Sequence, residues 1–89
     1  MNSILPFLAE YLGTFILAFI ILSTSNLLII GGAFVLIIAV IRSISGGLVN
    51  PALSLLLYLQ GHLSQMELFG FIALQFIGAY SAYVLYHNI

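Results

Sequence analysis

The sequence predicts an all-α membrane protein with three transmembrane helices and a fourth helix that is too short to cross a membrane. Its 89 residues are 64% hydrophobic and 3% charged, whereas about a quarter of the residues in a soluble domain are charged. Three long apolar runs each approach the ~20 residues that one crossing requires. A fourth apolar run of about half that length is bounded by helix start and stop signals.

The composition also excludes several classes of function. With 1 Lys or Arg in the whole sequence, there is no basic patch that would bind nucleic acid. With no Cys and 2 distant His, neither a disulfide nor a zinc site is expected. No nucleophile, base and orienting group stand in a pattern typical of a catalytic site. We therefore expect no enzymatic activity, no metal, no cofactor and no nucleic-acid partner.

The three long runs are predicted to form one domain, residues 1–89, of a multi-pass integral membrane protein. The first helix is expected at about residues 4–23 and the second at about 27–44. The third is expected at about 63–85, where Ser64 and Glu67 have the spacing of a capping box. A cleaved signal peptide is the alternative for the first run, but Glu10 interrupts that run and no positive charge precedes it.

Residues near the ends of these runs are typical of membrane boundaries. Arg42 lies near the end of the second run, where a cation reaches the headgroups and favours a helix C-terminus; a cation facing a substrate is the alternative. Tyr80, Tyr83 and Tyr86 match an interfacial aromatic belt. Gly78 in the third run permits close packing of another helix.

The segment between the second and third runs, residues 45–59, carries the most information. Asn50 and Pro51 are predicted as the N-cap and first residue of a helix over residues 51–59, with Gly61 as its stop. Nine residues make a helix of about 13 to 14 Å, close to half of a hydrocarbon core of roughly 30 Å. We expect this half-helix to enter the membrane and leave on the same side. A helix lying flat in the interface is the alternative.

The residues before the half-helix predict irregular backbone at membrane depth. Such backbone is tolerated only where protein buries it or water lines it, and glycines permit its unusual angles. Unpaired carbonyls of Gly47, Leu48 and Val49 would then face a wet path, and the helix N-terminus would aim a partial positive charge at the membrane centre. These features indicate a pore.

Three motifs in this order resemble the N-terminal half of the aquaporin family, which includes the glycerol facilitators. They are residues 9–15 (AEYLGTF), 44–54 (ISGGLVNPALS) and 73–79 (ALQFIGA), and together they cover nearly the whole chain. The resemblance implies one of two inverted repeats, each contributing a half-helix whose tips meet at mid-membrane. It also implies passive transport of water or small neutral solutes such as glycerol.

The resemblance assigns roles to individual residues. Asn50 would donate its side-chain amide to a passing water, and Pro51 and Ala52 would form the contact between the two tips. Glu10 would accept hydrogen bonds from the loop backbone, and Gln75 would support the loop from the third helix. Glu10 as an interfacial residue near Pro6, and Gln75 as an interhelix hydrogen-bonding residue alone, are the alternatives. The resemblance also assigns Ser45 and Gly46 to the residues that support the loop.

This sequence also departs from the family pattern. Leu48 stands where the family usually has His, so one polar lining group is missing. Leu53 follows the tripeptide, whereas the selectivity Arg of the family follows the second tripeptide, in the other half. Counting back from Asn50 gives Ile30 and Phe34 as candidates for the constriction.

One such half would expose its loop to lipid at a cost of several kcal/mol for each unsatisfied group. We therefore expect a partner in the lipid bilayer, either an inverted copy of this chain or a separate second-half subunit, in a higher oligomer. Arg42 alone gives a weak bias in orientation. A non-conducting structural or regulatory subunit, or a truncated channel remnant, remains the alternative function.

Overall fold

The computed structural model describes residues 4–89, so the first three residues of the predicted domain lie outside it. The described residues form four helices without any strand: α1 (Ile4–Ser23), α2 (Leu27–Ser45), α3 (Pro51–Leu59) and α4 (Gln65–Tyr86). Compared with the prediction, α2 ends one residue later, and α4 begins two residues later and ends one residue later. By length and composition, α1, α2 and α4 are suited to crossing a membrane, which confirms the predicted fold class.

Side-chain caps fix where the helices begin. Asn26 caps α2, its Oδ1 accepting from the backbone N–H of Leu28 at 2.9 Å and of Ile29 at 3.2 Å. The predicted capping box is present: Ser64 Oγ accepts from the Glu67 N–H at 3.1 Å, and the Glu67 carboxyl accepts from the Ser64 N–H at 2.8 Å. Because the Ser64 side chain is the cap, α4 begins after Ser64.

Helices α1 and α4 run parallel to each other. Phe7 packs edge-on against Phe71 near their N-terminal ends, with ring centroids 5.1 Å apart. Phe19 packs in the same way against Tyr86 near their C-terminal ends, at 5.9 Å. The helices cross closely at Gly78, where a Cβ atom would lie 2.7 Å from the carbonyl oxygen of Tyr11. A glycine is therefore required at this crossing.

Helix α2 packs antiparallel to α1. Glu10 contacts Ser45 near the end of α2, whereas Gly13, further along α1, faces Ile41 and Ile37, which come earlier in α2. The C-terminus of α2 thus lies at the same end of the bundle as the N-termini of α1 and α4.

This arrangement determines the course of residues 46–64. The segment leaves α2 and joins α4 at one end of the bundle, yet Ser54 near the start of α3 contacts Gln75, midway along the 22 residues of α4. With 9 residues, α3 is about 13 Å long and returns along α4 from that midpoint. The segment therefore enters the bundle halfway and turns back, which does not fit a helix lying flat across its end.

Candidate functional site

The turn that precedes α3 depends on left-handed backbone. Gly46 (φ 96°) ends α2, and its N–H donates to the carbonyl of Arg42 at 3.0 Å. Gly47 follows with φ 65°, and a Cβ there would come within 3.1 Å of Ile38 Cγ2 and 3.3 Å of the Ile38 carbonyl oxygen. Val49 has φ 42°, which is unusual for a β-branched residue. Its conformation must be held by other contacts.

Those contacts come from Glu10, whose side chain is fully buried. One carboxyl oxygen accepts from the N–H of Val49 at 2.7 Å and from Gln75 Nε2 at 2.9 Å. The other accepts from Ser45 Oγ at 2.5 Å and from the N–H of Leu48 at 3.1 Å. A carboxylate offers about four acceptor sites, so these donors use its full capacity. Glu10 links α1, α2, α4 and the loop at one point.

A second set of hydrogen bonds extends this network into α3. Gln75 Nε2 also donates to Ser54 Oγ at 2.9 Å, and Ser54 Oγ donates to the carbonyl of Asn50 at 2.9 Å. Gln75 and Ser54 are both buried. Ser54 was not predicted as a site residue, although a serine on the first turn of a half-helix was a signal that it faces a polar partner.

The carbonyl oxygens of residues 46–49 accept no hydrogen bond from the described part of the chain. The N–H groups of Leu48 and Val49, in contrast, are both bonded to Glu10. The backbone of the loop is therefore paired through its donors and leaves its acceptors open. A row of open carbonyls can accept hydrogen bonds from water or from a hydroxyl group.

Asn50 presents a donor at the tip of α3. Its Oδ1 caps the helix, accepting from the N–H of Ala52 at 2.8 Å and of Leu53 at 3.3 Å. Within residues 4–89, the side-chain Nδ2 has no acceptor, and the residue is exposed. The tip thus combines an outward amide donor with the partial positive charge of a helix N-terminus. Pro51 is half-buried beside it and Ala52 is exposed.

The comparisons with known proteins support one family. No protein-family model and no solved structure matches the chain. A curated protein from Lactiplantibacillus plantarum, named glycerol uptake facilitator protein-like 6, is 37% identical over an alignment of 82 residues. That alignment covers 82% of this chain.

The chain is related to the aquaporin family. It spans 38% of the length of the curated relative that it matches, so the relationship is partial. This relationship, together with the entry of α3 halfway into the bundle, confirms the resemblance that the three sequence motifs indicated.

In this aquaporin-like unit, the predicted loop residues contribute through their backbone. The side chains of Leu48 and Val49 are buried, and Val49 belongs to an apolar core with Ala9 and Ile41. Phe34, a constriction candidate, is partly buried against that same core.

The side chains at the remaining positions lie outside the hydrogen-bond network around Glu10. The second constriction candidate, Ile30, lies one turn before Phe34 and is half-buried. Arg42 is exposed in the last turn of α2, which favours the membrane-boundary interpretation of its charge. Leu53 is 39% exposed beside the tip.

Proposed function

We propose that the chain is a subunit of an aquaporin-like passive channel for water and small neutral solutes such as glycerol. The observation that supports this most directly is the tip of α3, which stops halfway along the bundle with the Asn50 amide unpaired. A donor at that depth suits the oxygen of a passing water or polyol. The name of the curated relative refers to glycerol uptake, which is consistent with this solute class.

The channel requires a second half in this proposal. The open carbonyls and the Asn50 amide would each cost several kcal/mol against hydrocarbon. A helix of about 13 Å also covers only one side of a core of roughly 30 Å. A second half inserted from the opposite side would supply the missing half-helix and enclose the polar groups around water.

We infer that an inverted copy of this chain provides that half. Lys and Arg residues set the orientation of a membrane protein, and the sequence contains 1 of them. The chain is therefore expected to insert in both orientations. A separate second-half subunit is the competing partner, and it would favour a single orientation.

A symmetric pair would form a pore of low selectivity. Leu53 would occur twice near the tips, and no Arg would stand beside them. Exclusion of protons would then depend on two opposed half-helix dipoles and on the pair of Asn50 amides. We expect both water and glycerol to pass.

Asn50→Asp tests this function while preserving the cap. Asp retains the oxygen that accepts from Ala52 and Leu53, and it favours a helix N-terminus, but it removes the amide donor and places a charge at the tip. We expect the permeability of proteoliposomes to water and to glycerol to fall by about tenfold or more. Light scattering after osmotic shifts measures both fluxes.

Asn26→Asp is the matched control. Asn26 is also an exposed Asn N-cap, with its Oδ1 bonded to the second and third N–H groups that follow it, but it lies at the start of α2, away from the tip. Its substitution should leave both fluxes unchanged. If wild-type oligomers reconstituted with the expected size carry neither flux, the chain is a non-conducting subunit.

A further inference from the structure

Ser54 is the single buried residue of α3. Its side chain is 0% exposed, whereas the other residues of this helix are half-buried or exposed. Within the described part of the chain, its hydroxyl also makes the hydrogen bond that joins α3 to α4, accepting from Gln75 Nε2 at 2.9 Å. Ser54 is thus the point at which the bundle holds α3 by both burial and a hydrogen bond.

The hydrogen bonds around Ser54 have one possible direction. Gln75 Nε2 also donates to Glu10, and a carboxylate cannot donate in return, which fixes the orientation of the amide. Ser54 Oγ therefore accepts from Gln75, and its single proton is directed to the Asn50 carbonyl, 2.9 Å away. The Ser54 N–H donates to the same carbonyl at 2.9 Å. Hydrogen bonds in such a chain polarise and strengthen one another.

This chain of bonds holds Asn50 from its backbone side. Its carbonyl is bound by Ser54, and its side-chain Oδ1 by the N–H groups of Ala52 and Leu53. The Asn50 Nδ2 is left as the group that a solute can meet at the tip. The direction of that donor therefore depends on Ser54, although Ser54 is buried and reaches no solute itself.

We propose that Ser54 is a positioning residue that sets the selectivity of the pore between glycerol and water. The inference rests on the proposed channel function. Water can rotate to meet a displaced donor, whereas a polyol carries several hydroxyl groups that must meet the Asn50 amide and the open carbonyls at the same time. Displacement of the tip thus costs glycerol more than it costs water.

Ser54→Ala tests this role by removing the hydroxyl. The ratio of glycerol permeability to water permeability in proteoliposomes should fall about fivefold, which is the effect of one lost hydrogen bond. A loss of folded channels alone would lower both fluxes by the same factor and leave the ratio unchanged. Ser54→Thr keeps the hydroxyl, and threonine in a helix can bond the carbonyl four residues earlier, so its ratio should match that of the wild type.

Ser81→Ala is the matched control. Ser81 Oγ accepts from the Tyr11 hydroxyl at 3.0 Å and donates to the Ile77 carbonyl, four residues earlier, at 2.7 Å. The variant loses the same two kinds of hydrogen bond, but Ser81 has no hydrogen bond to α3 within residues 4–89. It should keep the wild-type ratio. An unchanged ratio in Ser54→Ala, or an equal change in Ser81→Ala, would overturn the proposal while leaving the channel function intact.

NMR of the full chain in lipid bilayers tests the positioning of the tip independently of flux. Of the 2 Pro in the sequence, only Pro51 follows an Asn, so carbonyl-¹³C Asn and ¹⁵N Pro give one directly bonded labelled pair. The carbonyl signal of this pair should move upfield in Ser54→Ala, because the Asn50 carbonyl loses one of its two donors, and stay in place in Ser81→Ala. An unshifted signal in folded Ser54→Ala would overturn the proposal even in a conducting channel. Absence of both fluxes in the wild type would instead overturn the channel function, and the role in selectivity with it.

Discussion

Glu10 shows how a single buried acid is accommodated in an apolar bundle. Its two oxygens each accept two hydrogen bonds, from Val49 and Gln75 on one side and from Ser45 and Leu48 on the other. An unpaired buried polar group is costly, but here every bond also fixes the loop. The acid thus stabilises the left-handed backbone at Val49.

Glu10→Gln should destabilise the fold strongly. Either orientation of the new amide places an NH2 group against two donors, because both carboxyl oxygens accept. We expect the free energy of unfolding to fall by about 2 to 4 kcal/mol, measured by SDS titration followed by circular dichroism. Glu67→Gln is the control, since glutamine also completes a capping box. Equal stability of the two variants would contradict the role of Glu10 in linking the three helices and the loop.

The sequence predicted part of this network. The resemblance assigned Glu10 and Gln75 to the support of the loop, and both lie there. Ser54 was not predicted, because its role depends on which neighbouring helix its side chain faces. Hydrophobic periodicity along one helix does not determine that. Only the packing of α3 against α4 places Ser54 beside Gln75.

At the scale of helices, the interface between α1 and α4 determines where α3 can lie. The two helices approach closely at Gly78, which is buried. Gly32 on α2 is exposed, and a Cβ atom there would meet nothing within 4 Å. These two glycines therefore have different functions, although both lie inside predicted transmembrane helices.

Gly78→Ala should force α1 and α4 apart. The added Cβ would lie 2.7 Å from the Tyr11 carbonyl oxygen and 3.2 Å from the Phe15 nitrogen, and backbone atoms cannot move aside as a flexible side chain can. We expect a loss of about 1 to 3 kcal/mol in unfolding free energy. Gly32→Ala should leave stability unchanged or raise it slightly. Equal losses in the two variants would show that the crossing is not the cause.

The helices themselves were more predictable than their arrangement. Composition and length predicted three spans, and the Asn-Pro pair predicted the start of α3, because caps act within a few residues of the chain. Helix α2 continues through Ser45 since the first left-handed residue is Gly46. The parallel packing of α1 against α4 joins residues far apart in sequence, so the apolar runs alone did not predict it.

For the whole molecule, the distribution of charge governs how the chain enters a membrane. Arg42, His62 and Glu67 lie toward the same end of the bundle, where α2 ends and α4 begins. Carboxylates contribute little to orientation, so Arg42 is the main determinant in this sequence. One such residue is a weak signal.

We therefore predict insertion in both orientations. The sequence has no Cys, so Ser25→Cys and His62→Cys each create a single thiol in connections at opposite ends of the bundle. A membrane-impermeant maleimide applied to spheroplasts should label each variant to about half of the level reached in detergent. Full labelling of one variant with protection of the other would show a fixed orientation and would require a separate partner for the second half.

The hydrogen bond between Glu10 and Gln75 joins residues 65 positions apart, and this separation has a consequence during synthesis. At about 5 to 20 residues per second, the ribosome adds Gln75 roughly 3 to 13 s after Glu10. Throughout this delay the acid of α1 lacks its partner on α4, and for the last 21 residues of the delay Ser54 lacks the same amide. The donors of Ser45, Leu48 and Val49 precede α4 in the chain, so we expect the Glu10 carboxyl to meet the loop first and to complete its hydrogen bonding when α4 packs against α1.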